Sequence, residues 1–460
     1  MTAIENKKGL YIKKLPLTKI ATFLLLLYSF TVPLAGHIYP SVIIKYLTLL
    51  LAAGLFCTAM IRKLISPYIN LTPTEIVMFF LGFFVTIGNY ELKIGGYYYV
   101  ISYWVLWIVM IASKYDDKWQ PTVLNLSCIF SMVYALATVV SYFSESIYIN
   151  YMVPLLSQYN TTQMINFYHQ GYMLGLTDHY STNGMYLAVG TGAFFAKLVP
   201  DFKKKQNWVY LLIMMLALLL TGKRGPLIFA VGAMAVVFFF YKSNKPQGRI
   251  LKIMIIAAIG VAALLIASIW VPEIMNSINR FISSSDDGDV TAGRGPLFAL
   301  AISLFKRKPI FGWGWGSYQY LYYDNLGKYQ YVFKYRHAHN IYLQLLCEVG
   351  IVGFIAFCSF FIWQLYKVLK LYRDYRKGLI ILPECASSVL PFAVYSQVFF
   401  LMYGMTGNPL YDVIVLFPYL LSCITVNYYT SKRYSEGSKI MFFLRSLMPK
   451  KKKRIHIITD

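Results

Sequence analysis

Two histidines, a glutamate and three cations stand where a largely apolar sequence has least reason to carry them. His337 and His339 precede the run "IYLQLLCEVGIVGFIAF", in which Ile341, Leu345 and Val349 share a face at helical spacing. Asn340 is placed to cap that helix. Just before a helix N-terminus the field favours anions and disfavours imidazolium, so His339 is expected to be neutral and able to accept a proton. The same helix end suits a phosphate. The chemistry these residues suggest is proton transfer beside an anion. Glu348 follows about 12 Å deeper along the helix. A carboxylate at membrane depth is a functional candidate by default, although bracing an arginine is the reading favoured here. Gly350 and Gly353 are expected to let a neighbouring helix pack closely.

The cations lie elsewhere in the chain. In "LLLTGKRGPLIF", Lys223 and Arg224 occupy a short turn between two apolar runs, where a charge near bilayer depth costs about 2.5–3.5 kcal/mol on insertion scales. A snorkelling pair at the membrane rim is the alternative. Arg294, in "TAGRGPLF", repeats part of the same grammar and opens a helix-like stretch; a lone surface arginine is its plain reading. Asp286, Asp287 and Asp289 form the only acidic cluster that invites a metal, and they lack the remaining ligands of a calcium loop. A metal held by His337, His339 and a carboxylate is the other metal reading. "FGWGWGSYQYLYY" alternates glycine with aromatics, which anchor at a membrane interface or stack on sugar rings.

The elements that must position these residues are membrane spans. The chain has 460 residues, 58% hydrophobic and only 13% charged, with a mean hydropathy of +0.54. The sequence predicts an all-α polytopic membrane protein, one domain over residues 1–460. About twelve spans are expected, at 17–36, 41–61, 74–88, 94–113, 121–142, 182–198, 207–221, 226–241, 250–270, 339–366, 388–406 and 411–428. Most of the 43 Lys and Arg fall in segments that share one side if both termini are cytoplasmic. That topology leaves an outer loop at 143–181, a large outer loop at 271–338, expected to be catalytic from the resemblance given below, and a basic cytoplasmic tail at 429–460. Within the larger loop, residues 294–308 read as an amphipathic helix with Leu297, Leu300, Ala301 and Leu304 on one face. The net charge of +24 is then mostly positive-inside signal and tail, which touches anionic lipid headgroups, and nucleic-acid binding is excluded. No cleaved signal peptide is expected. The six cysteines suggest neither a disulfide framework nor a metal site.

These stretches resemble the O-antigen ligase and polymerase superfamily. "HNIYLQLLCEVGIVGFIAF" is similar to its His-Asn, Leu-Gln, Glu-x-Gly-x-x-Gly signature. "TGKRGPL" is similar to its Ser-Arg-Gly junction, and "AGRGPLFALAISLFKRKPIFGWGWGSY" to its long-loop pattern. "STNGMYLA" loosely matches the entry to a middle span. The resemblance covers roughly residues 177–355 and implies a type C membrane glycosyltransferase of the bacterial cytoplasmic membrane. Such an enzyme needs no cofactor and no metal. It takes an oligosaccharide from undecaprenyl pyrophosphate and passes it, with inversion, to an acceptor hydroxyl on the outer face. Arg224 and Arg294 match the arginines that hold the pyrophosphate, and His339 matches the proposed base. His337, Asn340 and Glu348 are supporting residues. The family usually has Ser or Thr where this chain has Lys223, which adds a cation to the pyrophosphate site. A polymerase of repeat units, making O-antigen or capsular polysaccharide with a chain-length regulator as possible partner, is favoured by the chain's length and its Tyr-rich outer segments. A ligase acting on lipid A core, a protein O-oligosaccharyltransferase and a flippase are the alternatives. A transporter is expected to keep its charges near the midplane.

Overall fold

A backbone in lipid must satisfy its own polar groups. Among the described residues the chain accordingly forms helices and no strand. The computed structural model describes residues 17–31, 42–62, 71–86, 97–114, 119–156, 161–241, 293–324 and 337–434. The expected ninth span (250–270), the start of the large loop with Asp286, Asp287 and Asp289, and nearly all of the basic tail lie outside them. The helices are α1 (Leu17–Thr31), α2 (Val42–Ile61), α3 (Pro73–Thr86), α4 (Tyr97–Ser113), α5 (Trp119–Phe143), α6 (Thr161–His169) and α7 (Tyr180–Leu198). They continue with α8 (Lys205–Leu220), α9 (Arg224–Tyr241), α10 (Gly295–Arg307), α11 (Ser317–Asp324), α12 (Ile341–Arg376), α13 (Ala386–Tyr403) and α14 (Val413–Tyr434). Five of these, α5, α9, α12, α13 and α14, are long and apolar enough to cross a membrane, and α1, α2, α3, α4 and α8 contain shorter apolar helices.

α7 is the centre of the bundle. It packs against α5, α8, α9 and α13 and is buried along almost its whole length. That burial explains its more polar sequence: a helix shielded from lipid by other helices can spend positions on hydroxyls and small residues. Ser131 Oγ donates to Tyr186 O at 3.1 Å and Tyr395 OH to Ala188 O at 2.7 Å. Gly190 and Gly192 admit Ser131 and Tyr395, whose atoms would collide with any Cβ there.

The segment after α5 does not run free. A helical turn at Glu145–Ile147, a π turn at Tyr148–Met152 and α6 fold over the end of α8, closing a small core of Tyr148, Met164, Tyr168, Leu174 and Leu220. α10 buries Leu297, Leu300, Ala301 and Leu304, the face expected from spacing, against Tyr318, Tyr322, Ala338 and Cys347.

α12 differs from its expected span in two respects. It continues to Arg376, where Arg376 Nε donates to Tyr241 O at 3.0 Å. It also breaks at Gly350 (φ 64°, ψ −171°), a backbone state essentially restricted to glycine. The groups freed by the break are bonded by an irregular strip, not by a neighbouring helix as expected. Trp313 N donates to Cys347 O (3.1 Å) and Gly314 N to Glu348 O (2.7 Å), while Ile351 N donates to Pro309 O (2.8 Å) and Val352 N to Ile310 O (3.2 Å). A Cβ on Gly350 would strike the backbone of Ile310, and one on Gly312 the carbonyl of Glu348. Irregular backbone is tolerated at membrane depth where protein covers it in this way. Gly353 does admit a neighbouring helix: a Cβ there would lie 3.2 Å from Phe84 of α3.

Candidate functional site

The turn from α8 to α9 is made by Thr221, Gly222 and Lys223. Gly222 takes φ 65° and Lys223 N donates to Thr221 Oγ1 at 3.2 Å. The turn lies against the start of α7. Lys223 Nζ is 5.2 Å from the centroid of the Tyr180 ring, and a Cβ on Gly184 would come within 3.6 Å of Lys223 Cβ. Arg294 precedes α10 and donates from Nη1 to Thr406 O at 2.7 Å. Thr406 also borders α9, since a Cβ on Gly225 would lie 3.6 Å from its Oγ1. The adjacent Lys223 and Arg224 are therefore gathered in one place with Arg294, which is distant in sequence. Burial above all, then the charges of Arg294 and Arg224, hold the Lys223 ammonium down at about 8. Among the described residues neither Lys223 nor Arg294 forms an ion pair. Like charges collected this way raise the free energy of the empty site and favour an anion in it.

The start of α12 is tied to the end of α13, close to Thr406. Ile341 N donates to Gly404 O at 2.9 Å and Tyr342 OH to Leu401 O at 2.8 Å, two to five residues from Thr406. Asn340 caps the helix as expected: its Oδ1 accepts from Tyr342 N (3.1 Å) and Leu343 N (3.2 Å). His339, half-buried beside the cap, has φ 52° and is the one non-glycine residue with positive φ among those described. Strain of that kind, about 1–3 kcal/mol, persists only where the surroundings enforce it and clusters at functional sites.

His337 occupies a different environment. Its ring lies 4.7 Å from that of Tyr411 and is bonded by the amides of Gln319 and Gln344, the latter at 3.1 Å from Nδ1. Burial pushes it down to about 4, so it is neutral at pH 7. Gln344, fully buried, is the hub: its Oε1 accepts from Ala338 N (3.1 Å) and from Asn408, and its Nε2 donates to Glu348 Oε1 (2.9 Å).

Glu348 does not brace an arginine among the described residues. Its carboxylate accepts from Gln344, from Tyr318 N at 3.2 Å and from Tyr411 OH. The break at Gly350 explains this, because it brings the glycine-rich strip and the start of α11 to the carboxylate before any cation reaches it. The aromatics of that strip are used mainly for packing. Trp315 stacks between Phe357 (5.5 Å) and Tyr411 (5.4 Å), and Trp313 Nε1 donates to Leu304 O at 2.8 Å. Phe311 alone of the "FGWGW" aromatics is exposed.

Sequence reasoning quoted Gln344 only as part of the signature, without a role, and passed over Thr406, Asn408, Tyr411, His179 and Tyr180. The signal that was available is "GMTGNPLYD", residues 404–412, whose polar residues interrupt two apolar runs and which read only as a join between spans.

Residues 209–358 match the O-antigen ligase family. A search of the curated proteins finds no match. The matched region runs from α8 into α12 and so contains Lys223, Arg224, Arg294, His337, His339, Asn340 and Glu348, whereas α7 and residues 404–412 fall outside it. The match covers about a third of the chain and supports membership of the O-antigen ligase/polymerase superfamily.

Proposed function

We propose that the protein polymerises undecaprenyl-pyrophosphate-linked oligosaccharide repeat units into O-antigen or capsular polysaccharide on the outer face of the bacterial cytoplasmic membrane. The observation that carries this reading is the gathering of Lys223, Arg224 and Arg294 beside the capped start of α12. Arginine presents a planar, permanently charged fork to phosphate oxygens. In the reaction the acceptor hydroxyl gives its proton to His339 and its oxygen attacks the anomeric carbon. The bond from that carbon to the donor oxygen breaks on the opposite face, inverting the centre. The electron pair leaves with the pyrophosphate, whose growing charge the three cations neutralise. Asn340 fixes where α12 begins, and His337, Gln344 and Glu348 hold the segment that carries His339. The cations supply the neutralisation that a divalent ion would otherwise provide, so the reading is metal-independent.

The test uses purified protein in lipid with lipid-linked repeat units as the sole substrate. A polymer ladder is expected from the native chain, and only single units from His339→Ala. Near-normal polymer from His339→Ala overturns the role of the base. Product that forms only when lipid A core is added makes the protein a ligase. Activity lost to EDTA and restored by a divalent ion overturns metal independence. Reporter fusions at Asn160 and Asp287 are expected to read outside, and those at Lys204 and Lys245 cytoplasm.

A further inference from the structure

The cation cluster has a neighbour that the reaction above does not use. His179 stands at the N-cap of α7 (φ −148°, ψ 132°), and its Nδ1 accepts from Ser181 N at 3.0 Å. A neutral imidazole that accepts at Nδ1 carries its proton on Nε2. The ring is fixed in that orientation by stacking on Tyr180 (4.4 Å, 23°) and by the edge of Phe167 (5.2 Å, 75°). It is only half-buried, and among the described residues Nε2 has no hydrogen-bond partner. Two members of the cluster act on the His179–Tyr180 pair. Lys223 lies over the adjoining Tyr180 and acts on His179 electrostatically, and Arg294 is within electrostatic range of Tyr180. Burial first, then Lys223, pushes the imidazole down to about 4, so the proton on Nε2 is a neutral donor throughout the physiological range.

We propose that His179 is a further binding residue of this site, donating Nε2–H to a phosphate oxygen of the lipid diphosphate. The inference rests on the pyrophosphate reading of the cluster. Its physical logic is that a fourth cation would add repulsion to a site already carrying three. A neutral donor adds a hydrogen bond to the anion without that repulsion. The fixed tautomer makes the group a donor only, which separates it from the proton-accepting role given to His339.

The alternative is that His179 is merely a helix cap, and two substitutions rank oppositely under the two roles. Asparagine is a strong N-cap residue but too short to place a donor where Nε2 sits. Glutamine caps poorly but carries an amide N–H at about that reach. The experiment measures binding of undecaprenyl diphosphate, with no sugar attached, to the full chain in nanodiscs, together with the unfolding temperature without ligand. His179→Asn is expected to keep the unfolding temperature and lose about tenfold in affinity, in keeping with a hydrogen bond to a charged group. His179→Gln is expected to bind more tightly than His179→Asn in spite of lower stability. Asparagine binding as well as the native chain, or better than glutamine, overturns the proposal. Arg294→Ala in the same assay separates the two levels. If it loses binding while His179→Asn does not, the clamp stands and His179 is a cap. If both bind normally, the pyrophosphate reading falls with the inference.

Discussion

Lys367 lies roughly 39 Å along α12 from its first residue, at about 1.5 Å per residue. Near it, a buried carboxylate is met on every side. Glu75 accepts from Lys114 Nζ (2.8 Å), from Thr72 N (2.7 Å) in a capping box, and from Asn427 Nδ2 (2.9 Å). Lys367 Nζ in turn donates to Thr74 Oγ1 at 2.8 Å. At the other end of α12, Lys223 and Arg294 form no ion pair among the described residues, and Arg294 and Arg224 both press on Lys223. Both clusters draw on several helices, but one is closed by a counter-charge, whereas in the other neither Lys223 nor Arg294 forms an ion pair among the described residues. A buried charge with its counter-charge reads as structure, whereas gathered like charges read as a place for a ligand.

The largest effects should break that comparison at the cation end. Arg294→Ala and Arg224→Ala are each expected to lower polymer formation by about 100-fold or more, the scale for removing one donor that stabilises transition-state charge. The unfolding temperature should hold or rise, because repulsion is relieved. Lysine should rescue only partly, since a point charge loses the fork. A chain length distribution and a thermal melt on the same samples decide the matter. Normal polymer from both alanine variants would make the arginines interface anchors.

The mirror experiment is Glu75→Ala. It strands Lys114, which is nearly buried beside it, and should cost about 3–5 kcal/mol of stability. Affinity for the lipid diphosphate should stay within about twofold. A large loss of affinity without destabilisation would mean that the two clusters are not functionally separate. Gly350→Ala should come next, at about 1–3 kcal/mol for the backbone conformation alone. It should reduce activity as well, since the strip it displaces carries the donors to Glu348. Unchanged stability would show that α12 passes Gly350 without the break.

How much of this the sequence showed depended on separation along the chain. The buried face of α10 and the cap at Asn340 were legible, because spacing and capping are properties of a few adjacent residues. The three cations stood out because charge is costly in apolar surroundings, although nothing local said that they meet. The partners of Glu348 were not legible. Tyr411 and Tyr318 approach from 63 and 30 residues away, and the break at Gly350 that admits them looks in sequence like a small residue for helix packing. The 404–412 turn, His179 and Tyr180 were missed for the same reason. Their part in the site comes from backbone carbonyls and stacked rings, which carry no pattern in the sequence.

The smallest expected effect is also the one that most sharply separates the clusters, because it titrates. Lys223 sits at about 8, below the ordinary range of a lysine, so it is charged at neutral pH and loses its proton as pH rises past about 8. Two consequences run in opposite directions. The pH profile of kcat/KM reports groups of the free enzyme, so donor capture should fall severalfold on the alkaline side of about 8 as one of three cations disappears. Stability should instead rise with pH between about 8 and 10.4, because over that window the unfolded chain binds the Lys223 proton and the folded chain does not. Lys223→Arg keeps the charge at all these values. It should therefore move the alkaline limb of kcat/KM upward and abolish this contribution to the rise in stability. Parallel profiles from pH 7 to 9.5, of initial rate at low donor concentration and of unfolding temperature, test both signs at once. If the limb stays at the same pH in Lys223→Arg, the group that titrates there is not Lys223, and the third cation does not belong to the donor site.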